Sequence, residues 1–392
     1  MSARYWPIAL VVAVPLGIYI LFLGLSTISF FQRHFLYAHK FHTLWWNDVN
    51  NPEYWGFAKN QVTPLSLTTV DDETLYAWHI LPLPLYAKHE DELISQPSGL
   101  SKSFTKTKNF KLLKEDPDAK LIIYFHGNAG HLAQAIRPAS YHVLTDTSPH
   151  HVLAIDYRGF GHSTGKPNEA GLILDAAAAV DWAMHVAGVG SDRIVLLGQS
   201  LGTAVAAAAA ERYAAEGVDF AGVVLVSGFS SLPAMLADYA IAGYVPVLRP
   251  LKVWPWLLRF VLRFMADRWP SADRLGEMVR VVKGRGGRLR LGLVHAKNDW
   301  DIPCHEDDRL FAAAVSGTVD DPDGIDPEIL AEEKDKRTID KGKSAFVTTW
   351  RDGDIEIRQE LFPYGGHNDI MMYAPVTMAV MRAFDSAATA DP

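Results

Sequence analysis

Residues 193–210 read Arg-Ile-Val-Leu-Leu-Gly-Gln-Ser-Leu-Gly-Thr-Ala-Val-Ala-Ala-Ala-Ala-Ala, a short apolar run that passes directly into an alanine-rich segment. The apolar run has the length of a buried β-strand, and the alanines have high helix propensity. Between them, Gly198 to Gly202 form a G-x-S-x-G motif, whose glycines remove side chains that would clash in a tight turn. The sequence therefore predicts a strand, a sharp turn and a helix, with the Ser200 hydroxyl presented at the end of a sheet and near the helix N-terminus.

A second G-x-S-x-G match, Gly161 to Gly165, lacks this context. Five residues separate this motif from the preceding apolar run, Val152–Ile155, and the Lys-Pro-Asn that follows it is typical of a loop. Only Ser200 has strand, turn and helix in immediate succession. We therefore expect Ser200 to be a nucleophile and Ser163 to be a turn residue.

Further apolar runs recur at the spacing of an α/β protein. With residues 194–197, they are Leu121–Phe125, Val152–Ile155, Val223–Val226, Leu289–Val294 and Ile355–Phe362. Helix-forming stretches separate most of them, and this alternation predicts a mostly parallel central sheet with helices on both faces. Ahead of them, the alternating pattern from Val62 to His79 predicts an antiparallel hairpin that turns at Asp71-Asp72.

Three histidines follow Ser200 in the chain, and one of them has the position expected of a base. A serine hydroxyl is a weak nucleophile and needs a base on a loop after a later strand. His295 lies inside a predicted strand and His305 begins a predicted helix, whereas His367 follows two glycines directly after the last strand. We therefore predict that His367 is the base.

The acid that orients this base is expected on the loop after the preceding strand, where the sequence offers two carboxylates. Asp299 lies at the crest of the loop, and Asp301 is closer to the next helix, where a carboxylate has a capping role in any case. We predict Asp299, with Asp301 as the alternative. For the oxyanion we predict two backbone N–H donors, that of Leu201 and that of Asn128 in the His-Gly-Asn-Ala-Gly loop.

Residues 7–31 are predicted to be a transmembrane anchor. No charged residue occurs from Ile8 to Phe31, and one helix of this length would extend about 36 Å, enough for a bilayer core of about 30 Å. The alternative is a signal peptide, but the stretch is too long and no A-x-A-like cleavage site follows. The aromatic juxtamembrane segment, residues 32–60, either lies at the membrane interface or packs on the domain.

Residues 61–392 are predicted to be one α/β domain with two insertions. The apolar residues 233–275 fall where a cap over the site is expected, and residues 316–343 form an acidic surface insertion. A polar stretch from Lys88 to Lys120 is a further excursion, predicted to be partly disordered.

The cap sequence carries aromatic and basic residues at helical spacing. Trp254, Trp256 and Phe260 are the predicted substrate contacts. Arg259 and Arg263 lie one helical turn apart, so the helix either contacts anionic lipid head groups or exposes an ordinary charged outer face.

The composition sets broad limits. The 392 residues are 49% hydrophobic and 21% charged, with a formal net charge of −8, which suits one large α/β domain or two small ones. The acidic balance argues against nucleic acid as the main partner. The single cysteine, Cys304, excludes an intrachain disulfide.

Together these stretches resemble the type-12 group of α/β-hydrolase-domain proteins, membrane-anchored serine hydrolases that include monoacylglycerol and lysophosphatidylserine lipases. The matching segments are residues 123–130, 156–167, the motif around Ser200, residues 295–303 and Gly366-His367. The resemblance implies the α/β-hydrolase fold with a helical cap and an N-terminal transmembrane helix. It also implies a Ser200–Asp299–His367 triad and a place in the endoplasmic reticulum membrane.

The predicted function is hydrolysis of a carboxylic ester of a monoacyl lipid at the membrane, by a mechanism that needs no metal or organic cofactor. A protein S-acyl thioesterase and a non-catalytic binding protein on the same fold are the alternatives. The complete set of Ser200, Asp299 and His367 argues against the non-catalytic alternative.

Overall fold

The computed structural model describes residues 6–241, 244–319 and 325–385. Its strands are β1 Val62–Thr68, β2 Thr74–Ile80, β3 Lys120–Phe125, β4 His150–Ile155, β5 Ile194–Gln199, β6 Gly222–Val226, β7 Ala240–Ile241, β8 Val245–Pro246, β9 Leu289–Ala296, β10 Thr338–Gly342, β11 Ala345–Asp352 and β12 Ile355–Phe362. The α-helices are α1 Trp6–Leu25, α2 Ser29–Tyr37, α3 Leu83–Lys88, α4 Glu90–Ile94, α5 Lys108–Lys114, α6 Arg137–Asp146, α7 Glu169–Asp181, α8 Leu201–Ala215, α9 Leu232–Asp238, α10 Pro255–Arg263, α11 Ser271–Gly284, α12 His305–Ser316, α13 Pro327–Lys336 and α14 Ala374–Phe384.

The central sheet has ten strands in the order β1-β2-β4-β3-β5-β6-β9-β12-β11-β10. The six strands from β4 to β12 in this order run parallel, and an antiparallel hairpin lies at each edge. All six apolar runs seen in the sequence are parallel strands, and the predicted opening hairpin is β1–β2. The carboxyl ends of these parallel strands meet at one edge of the sheet, where a site is expected in an α/β fold.

Helices cover both faces of the sheet, as predicted. On one face α7, α8, α11 and α12 contribute to a large apolar cluster with the strands, and on the other α6 and α14 do so. The alanines of α8 are buried because the helix crosses closely over the sheet, where small side chains allow a short interaxial distance. The packed core therefore holds in place both ends of each loop that carries a predicted site residue.

The polar stretch from Lys88 to Lys120 is ordered, so the prediction of partial disorder was wrong. It contains α4 and α5, and buried Leu93, Phe110 and Leu113 pack it onto the domain. A few apolar residues are enough to pack these short helices onto the domain. The average composition of the stretch does not reveal these residues, because many charged residues surround them.

The acidic insertion, residues 316–343, lies partly outside the described residues. Its described part is mostly exposed, but it is more than a loop, because it supplies α13 and the edge strand β10. Strand β10 pairs with β11 and so covers an otherwise open sheet edge.

The N-terminal apolar stretch is not the single helix predicted for Ile8 to Phe31. Helix α1 ends at Leu25, and α2 leaves at an angle of 107°. The hydroxyl of Ser26 bonds to the carbonyl of Phe22, and that of Thr27 bonds to the carbonyl of Gly24. Side-chain hydroxyl groups that donate hydrogen bonds to the last carbonyls of a helix favour such a bend. The 20 residues of α1 still extend about 30 Å.

Two described stretches are long and apolar enough to cross a membrane, judged by length and composition alone. One, Glu169–Ala187, is more than half buried and is a core helix of the domain. The other is the bent pair formed by α1 and α2. The juxtamembrane segment, residues 32–60, fits both predicted alternatives in part. Phe41, Trp45 and Trp46 are exposed, as a membrane-interface position requires, whereas Tyr37 and Phe57 are buried against the domain.

The cap lies between β6 and α11. It consists of α9, the small β7–β8 sheet, a 3₁₀ turn at Arg249–Val253 and α10. The predicted range, 233–275, is too long at its end, because α11 begins at Ser271 and packs against α8 and α12 in the core. Lys252 lies in the 3₁₀ turn before α10 and pairs with Asp238 of α9.

Candidate active site

Ser200 lies at the sharp turn between β5 and α8, with φ 54° and ψ −120°. A non-glycine residue with positive φ is strained, and such strain persists only where the surroundings hold it. Here the serine N–H donates to the carbonyl of Val226 at 3.0 Å, and Thr203 bonds to the serine carbonyl. Gly202 is required beside it, because a Cβ there would come 1.9 Å from the carbonyl oxygen of Phe125.

The structure brings together the three side chains predicted as a triad. His367 Nε2 lies 2.9 Å from Ser200 Oγ, and His367 Nδ1 lies 2.8 Å from Asp299 Oδ2. The serine is 8% exposed and the aspartate side chain is fully buried. With Nδ1 protonated toward Asp299, Nε2 is free to accept the serine proton, which is the arrangement that a general base requires.

Asp299 is the carboxylate that faces His367. Its Oδ1 accepts from the backbone N–H groups of Asp301 and Ile302, at 3.0 and 2.8 Å, while Oδ2 faces His367. Burial alone would raise the pKa of Asp299, but hydrogen bonds from His295 and His367 bring that pKa well below its usual range. The group therefore stays ionised behind the imidazole.

His295 is a second histidine beside this carboxylate, and it approaches the same oxygen, Oδ2, as His367. The ring is fully buried on β9, with Nε2 3.3 Å from Asp299 Oδ2 and Nδ1 3.7 Å from Asp307 Oδ1. Burial alone would lower its pKa, but the two carboxylates raise the pKa of His295 to about 10. The sequence prediction treated His295 as a strand residue without a role, and its spacing of four residues from Asp299 was the signal missed.

We expect His295→Leu to destabilise the protein in a pH-dependent way. Without the imidazolium, Asp299 and Asp307 are buried with no positive charge between them. This lowers the free energy of unfolding by about 3–5 kcal/mol. Because the folded pKa is raised, this stabilisation is complete below about pH 6.5 and is lost toward pH 10. The gap in Tm between wild type and variant should therefore be widest near pH 6.5 and shrink toward pH 10.

The matched control is His305→Leu. His305 is about half exposed at the start of α12, so its loss should change Tm little at any pH. Thermal unfolding of the three proteins in detergent, followed from pH 6.5 to 10, checks this. Parallel curves for wild type and His295→Leu would contradict the buried charge.

The loop after β3 passes directly beside the nucleophile. A Cβ on Gly127 would lie 3.2 Å from Ser200 Cβ, which places the predicted oxyanion loop against the serine. Asn128 and Leu201 both line the cavity with Ser200. Among the described residues, no hydrogen-bond acceptor is recorded for either backbone N–H, so both donors remain candidates for an oxyanion hole.

Arg137 holds this loop in place. The guanidinium is buried and donates to four backbone carbonyls, those of Gly127, Asn128, Ala129 and His131, over 2.6–2.9 Å. With the carbonyls turned toward the arginine, the peptide N–H groups are held in a fixed direction as well. Sequence reasoning missed Arg137; the signal was an arginine directly before Pro138 at a helix start.

The site opens into a cavity of about 890 Å³. Ser200 and His367 lie on its wall, and most other lining side chains are apolar, as is usual for a small-molecule site. From the cap, the lining residues include Met235, Leu236, Leu248, Val261, Leu262 and Met265.

The predicted substrate contacts Trp254, Trp256 and Phe260 do not line this cavity. Their side chains are 53%, 66% and 54% exposed on the outside of the cap. Helix α10 turns Val261 inward, and the aromatic rings therefore point away. The prediction of cavity contacts by these three residues is corrected accordingly.

Ser163 is a turn residue, as predicted. Its hydroxyl donates to the carbonyl of Asp156 at 2.7 Å and accepts from the N–H of Tyr76 at 2.9 Å. The hydroxyl thus joins the loop after β4 to strand β2.

Comparison with known proteins supports the fold. The family described as α/β hydrolase fold matches residues 120–264. An α/β-hydrolase from Vibrio vulnificus superposes with a TM-score of 0.51 at 16% identity, over 73% of this chain and 82% of that one. The chain therefore has the α/β-hydrolase fold.

Two curated relatives support the group. Protein ABHD12B of Homo sapiens is 37% identical over 142 residues, 36% of this chain and 37% of the relative. The lysophosphatidylserine lipase ABHD12 of Xenopus tropicalis is 28% identical over 269 residues, 68% of this chain and 61% of the relative. The chain spans less than two thirds of the length of these relatives. The matches to these two relatives confirm the resemblance to the type-12 group.

Proposed function

We propose that this α/β-hydrolase-fold chain, related to the type-12 group, is a membrane-anchored serine hydrolase that cleaves the carboxylic ester of a monoacyl lipid. The observation that carries the proposal is a histidine bonded at once to Ser200 Oγ and Asp299, on the wall of a large apolar cavity. Such a cavity suits an acyl chain, since each buried methylene contributes about 0.8 kcal/mol.

Acylation begins when Ser200 Oγ attacks the ester carbonyl carbon and His367 Nε2 takes the serine proton. The backbone N–H groups of Asn128 and Leu201 donate to the oxyanion, and Asp299 stabilises the imidazolium. The intermediate collapses as the C–O bond to the alcohol breaks, and His367 returns its proton to the leaving oxygen. The products are the free alcohol and an acyl group on Ser200.

Deacylation repeats these steps with water. His367 takes a proton from the water as its oxygen attacks the acyl carbon, and then returns that proton to Ser200 Oγ as the acyl bond breaks. The fatty acid leaves and the serine is restored. Neither half of the reaction calls on a metal or an organic cofactor.

The membrane part of the proposal rests on surface character. Helix α1 is apolar, and its Val14, Ile18 and Leu21 are exposed. The cap exposes Trp254 and Trp256, whose indole rings favour a membrane–water interface. The resemblance supports the endoplasmic reticulum as the compartment.

The test is a screen of the full-length protein in detergent. We expect Ser200-dependent labelling by a fluorophosphonate and hydrolysis of long-chain monoacyl esters, beginning with monoacylglycerol and with lysophosphatidylserine, the lipid named for the Xenopus relative. Activity on a palmitoyl thioester without activity on oxyesters would instead favour the S-acyl thioesterase alternative. Absence of both labelling and hydrolysis would contradict a hydrolase.

We expect the double change Arg259→Glu and Arg263→Glu to lower hydrolysis of lipid esters in anionic vesicles by about tenfold or more. Both residues are exposed on α10, and each basic residue near an anionic surface is worth about 1 kcal/mol. Hydrolysis of soluble p-nitrophenyl butyrate should stay nearly unchanged, because the two side chains lie outside the cavity.

The matched control reverses two charges elsewhere, Lys102→Glu with Lys106→Glu, both exposed and outside the cap. It alters net charge equally and should leave both assays unchanged. Equal loss on vesicles and on the soluble ester for the cap variant would mean that the arginines support the cap structure and not membrane contact.

A further inference from the structure

We propose that the N-terminal hairpin, α1 and α2, forms one wall of the acyl-chain site, so that the anchor itself helps to select the substrate. The inference rests on the proposed function and adds to it a ligand-binding role for a segment otherwise expected only to attach the enzyme to a membrane. Four observations carry it.

The cavity is closed on one side by this hairpin. Phe22 and Ser26 from the end of α1, with Phe35 and Leu36 from α2, line the same cavity as Ser200. The rings of Phe22 and Phe35 and the side chain of Leu36 give the wall an apolar part, beside the polar Ser26, Gln32 and His34. An acyl chain offers no hydrogen-bonding group, so the apolar part suits it. Residues of the cap line the same cavity.

A buried amide locks the hairpin to the cap. Gln32 is 5% exposed, and its Nε2 donates to the carbonyls of Ser26 at 2.7 Å and Phe264 at 2.6 Å. Its Oε1 accepts from the N–H of Ala266 at 3.1 Å. One side chain thus joins the bend between α1 and α2 to the residues that follow α10.

Apolar packing and a second hydrogen bond continue this contact. Tyr19 and Leu23 pack against Leu248 and Val261 of the cap, and the Tyr19 hydroxyl donates to the carbonyl of Val247 at 3.0 Å. The hairpin therefore has a defined position over the cavity.

Helix α2 also reaches the predicted oxyanion loop. The carbonyl of Tyr37, its last residue, accepts from the N–H of Ala129 at 3.1 Å, and the Tyr37 hydroxyl donates to Asp267 at 2.7 Å. The wall, the cap and the loop beside Ser200 are thus one connected structure.

The placement also gives the acyl chain a short path. The exposed apolar side chains of α1, Val14, Ile18 and Leu21, precede Phe22 of the cavity wall by only one to eight residues. A monoacyl lipid beside α1 in a bilayer would reach the cavity along an apolar surface. Its chain would then bind in the cavity that both the hairpin and the cap line.

The test narrows the wall in the full-length protein. We expect Ser26→Phe to lower kcat/KM for p-nitrophenyl palmitate about tenfold, the loss expected when roughly two methylenes lose a buried place. Hydrolysis of p-nitrophenyl butyrate and fluorophosphonate labelling should remain within about twofold of wild type, because a butyryl chain has far fewer methylenes to bury than a palmitoyl chain. The control is Ser29→Phe, which adds the same ring three residues away at an exposed position outside the lining.

A second pair removes bulk instead, and so avoids crowding. Phe35→Ala should lower palmitate hydrolysis several-fold and leave butyrate hydrolysis unchanged, whereas Phe30→Ala, an exposed ring outside the lining, should change neither. Equal losses on both esters in Ser26→Phe and Phe35→Ala would overturn the proposal, as would unchanged palmitate hydrolysis in both. A wild-type protein that hydrolyses neither ester would instead contradict the proposed function, and therefore also this inference.

Discussion

Ser200→Ala is expected to abolish ester hydrolysis, with a loss in kcat on the order of 10⁶, the effect seen when a triad serine is removed. The reason is geometric: Ser200 Oγ is the oxygen within 2.9 Å of His367 Nε2, and it lies at the N-terminus of α8. Labelling by a fluorophosphonate should disappear with the activity, because the same oxygen forms the covalent bond. Both are measured on the full-length protein in detergent.

Ser163→Ala is the matched control, since it changes the serine of the other G-x-S-x-G motif. We expect labelling and kcat to persist, with a loss of about 1 kcal/mol in stability from the broken turn hydrogen bonds. If Ser163→Ala lost its label while Ser200→Ala kept it, the nucleophile would be misassigned.

The parallel part of the fold and the loops of the site were predictable from sequence for one physical reason. A strand buried on both faces must be apolar throughout, so β3, β5 and β6 are visible as uninterrupted apolar runs. In a parallel sheet the loops after these strands converge on one edge. Ser200, Asp299 and His367 follow β5, β9 and β12, so the sequence alone was enough to group them.

Other parts depend on contacts that local patterns do not report. The break after Leu25 arises from hydroxyl groups that bond to the last carbonyls of α1, and an apolar average over residues 8–31 does not reveal them. The orientation of α10 is set by what it packs against, namely Leu248 and Leu251 together with Tyr19 of a helix more than 200 residues earlier. For this reason the sequence did not reveal that Trp254, Trp256 and Phe260 lie on the outer surface of the cap.

The same distinction applies within the site. His295 resembles any core histidine of a strand until Asp307 is brought beside it from α12. Arg137 acts on backbone carbonyls, which are present at every residue and leave no mark in a sequence. Side chains that act through the backbone or through a distant charge are thus the part of a site that sequence patterns reveal least.

Asp299→Asn is expected to lower kcat on the order of 10⁴ while the protein stays folded. The carboxylate accepts the Nδ1 proton of His367 at 2.8 Å, so Nε2 is left unprotonated and aimed at Ser200. An asparagine in its place can present an N–H to Nδ1, which favours the opposite tautomer, with the proton on Nε2. The base would then already carry the proton that it must accept.

The matched control for this tautomer argument is Asp301→Asn, because Asp301 lines the same cavity two residues further along the same loop. The backbone N–H of residue 301 donates to Asp299 Oδ1, and this bond is retained whether the side chain is aspartate or asparagine. We therefore expect kcat of the control to fall less than about tenfold. Ester hydrolysis by both variants, with thermal unfolding as the check of folding, decides between the two carboxylates. Equal losses in two folded variants would mean that the orientation of His367 does not depend on Asp299 alone. Since His295 also contacts the Asp299 carboxylate, the Asp299→Asn variant should in addition be less stable below about pH 10, where that imidazolium loses one of its two carboxylate partners.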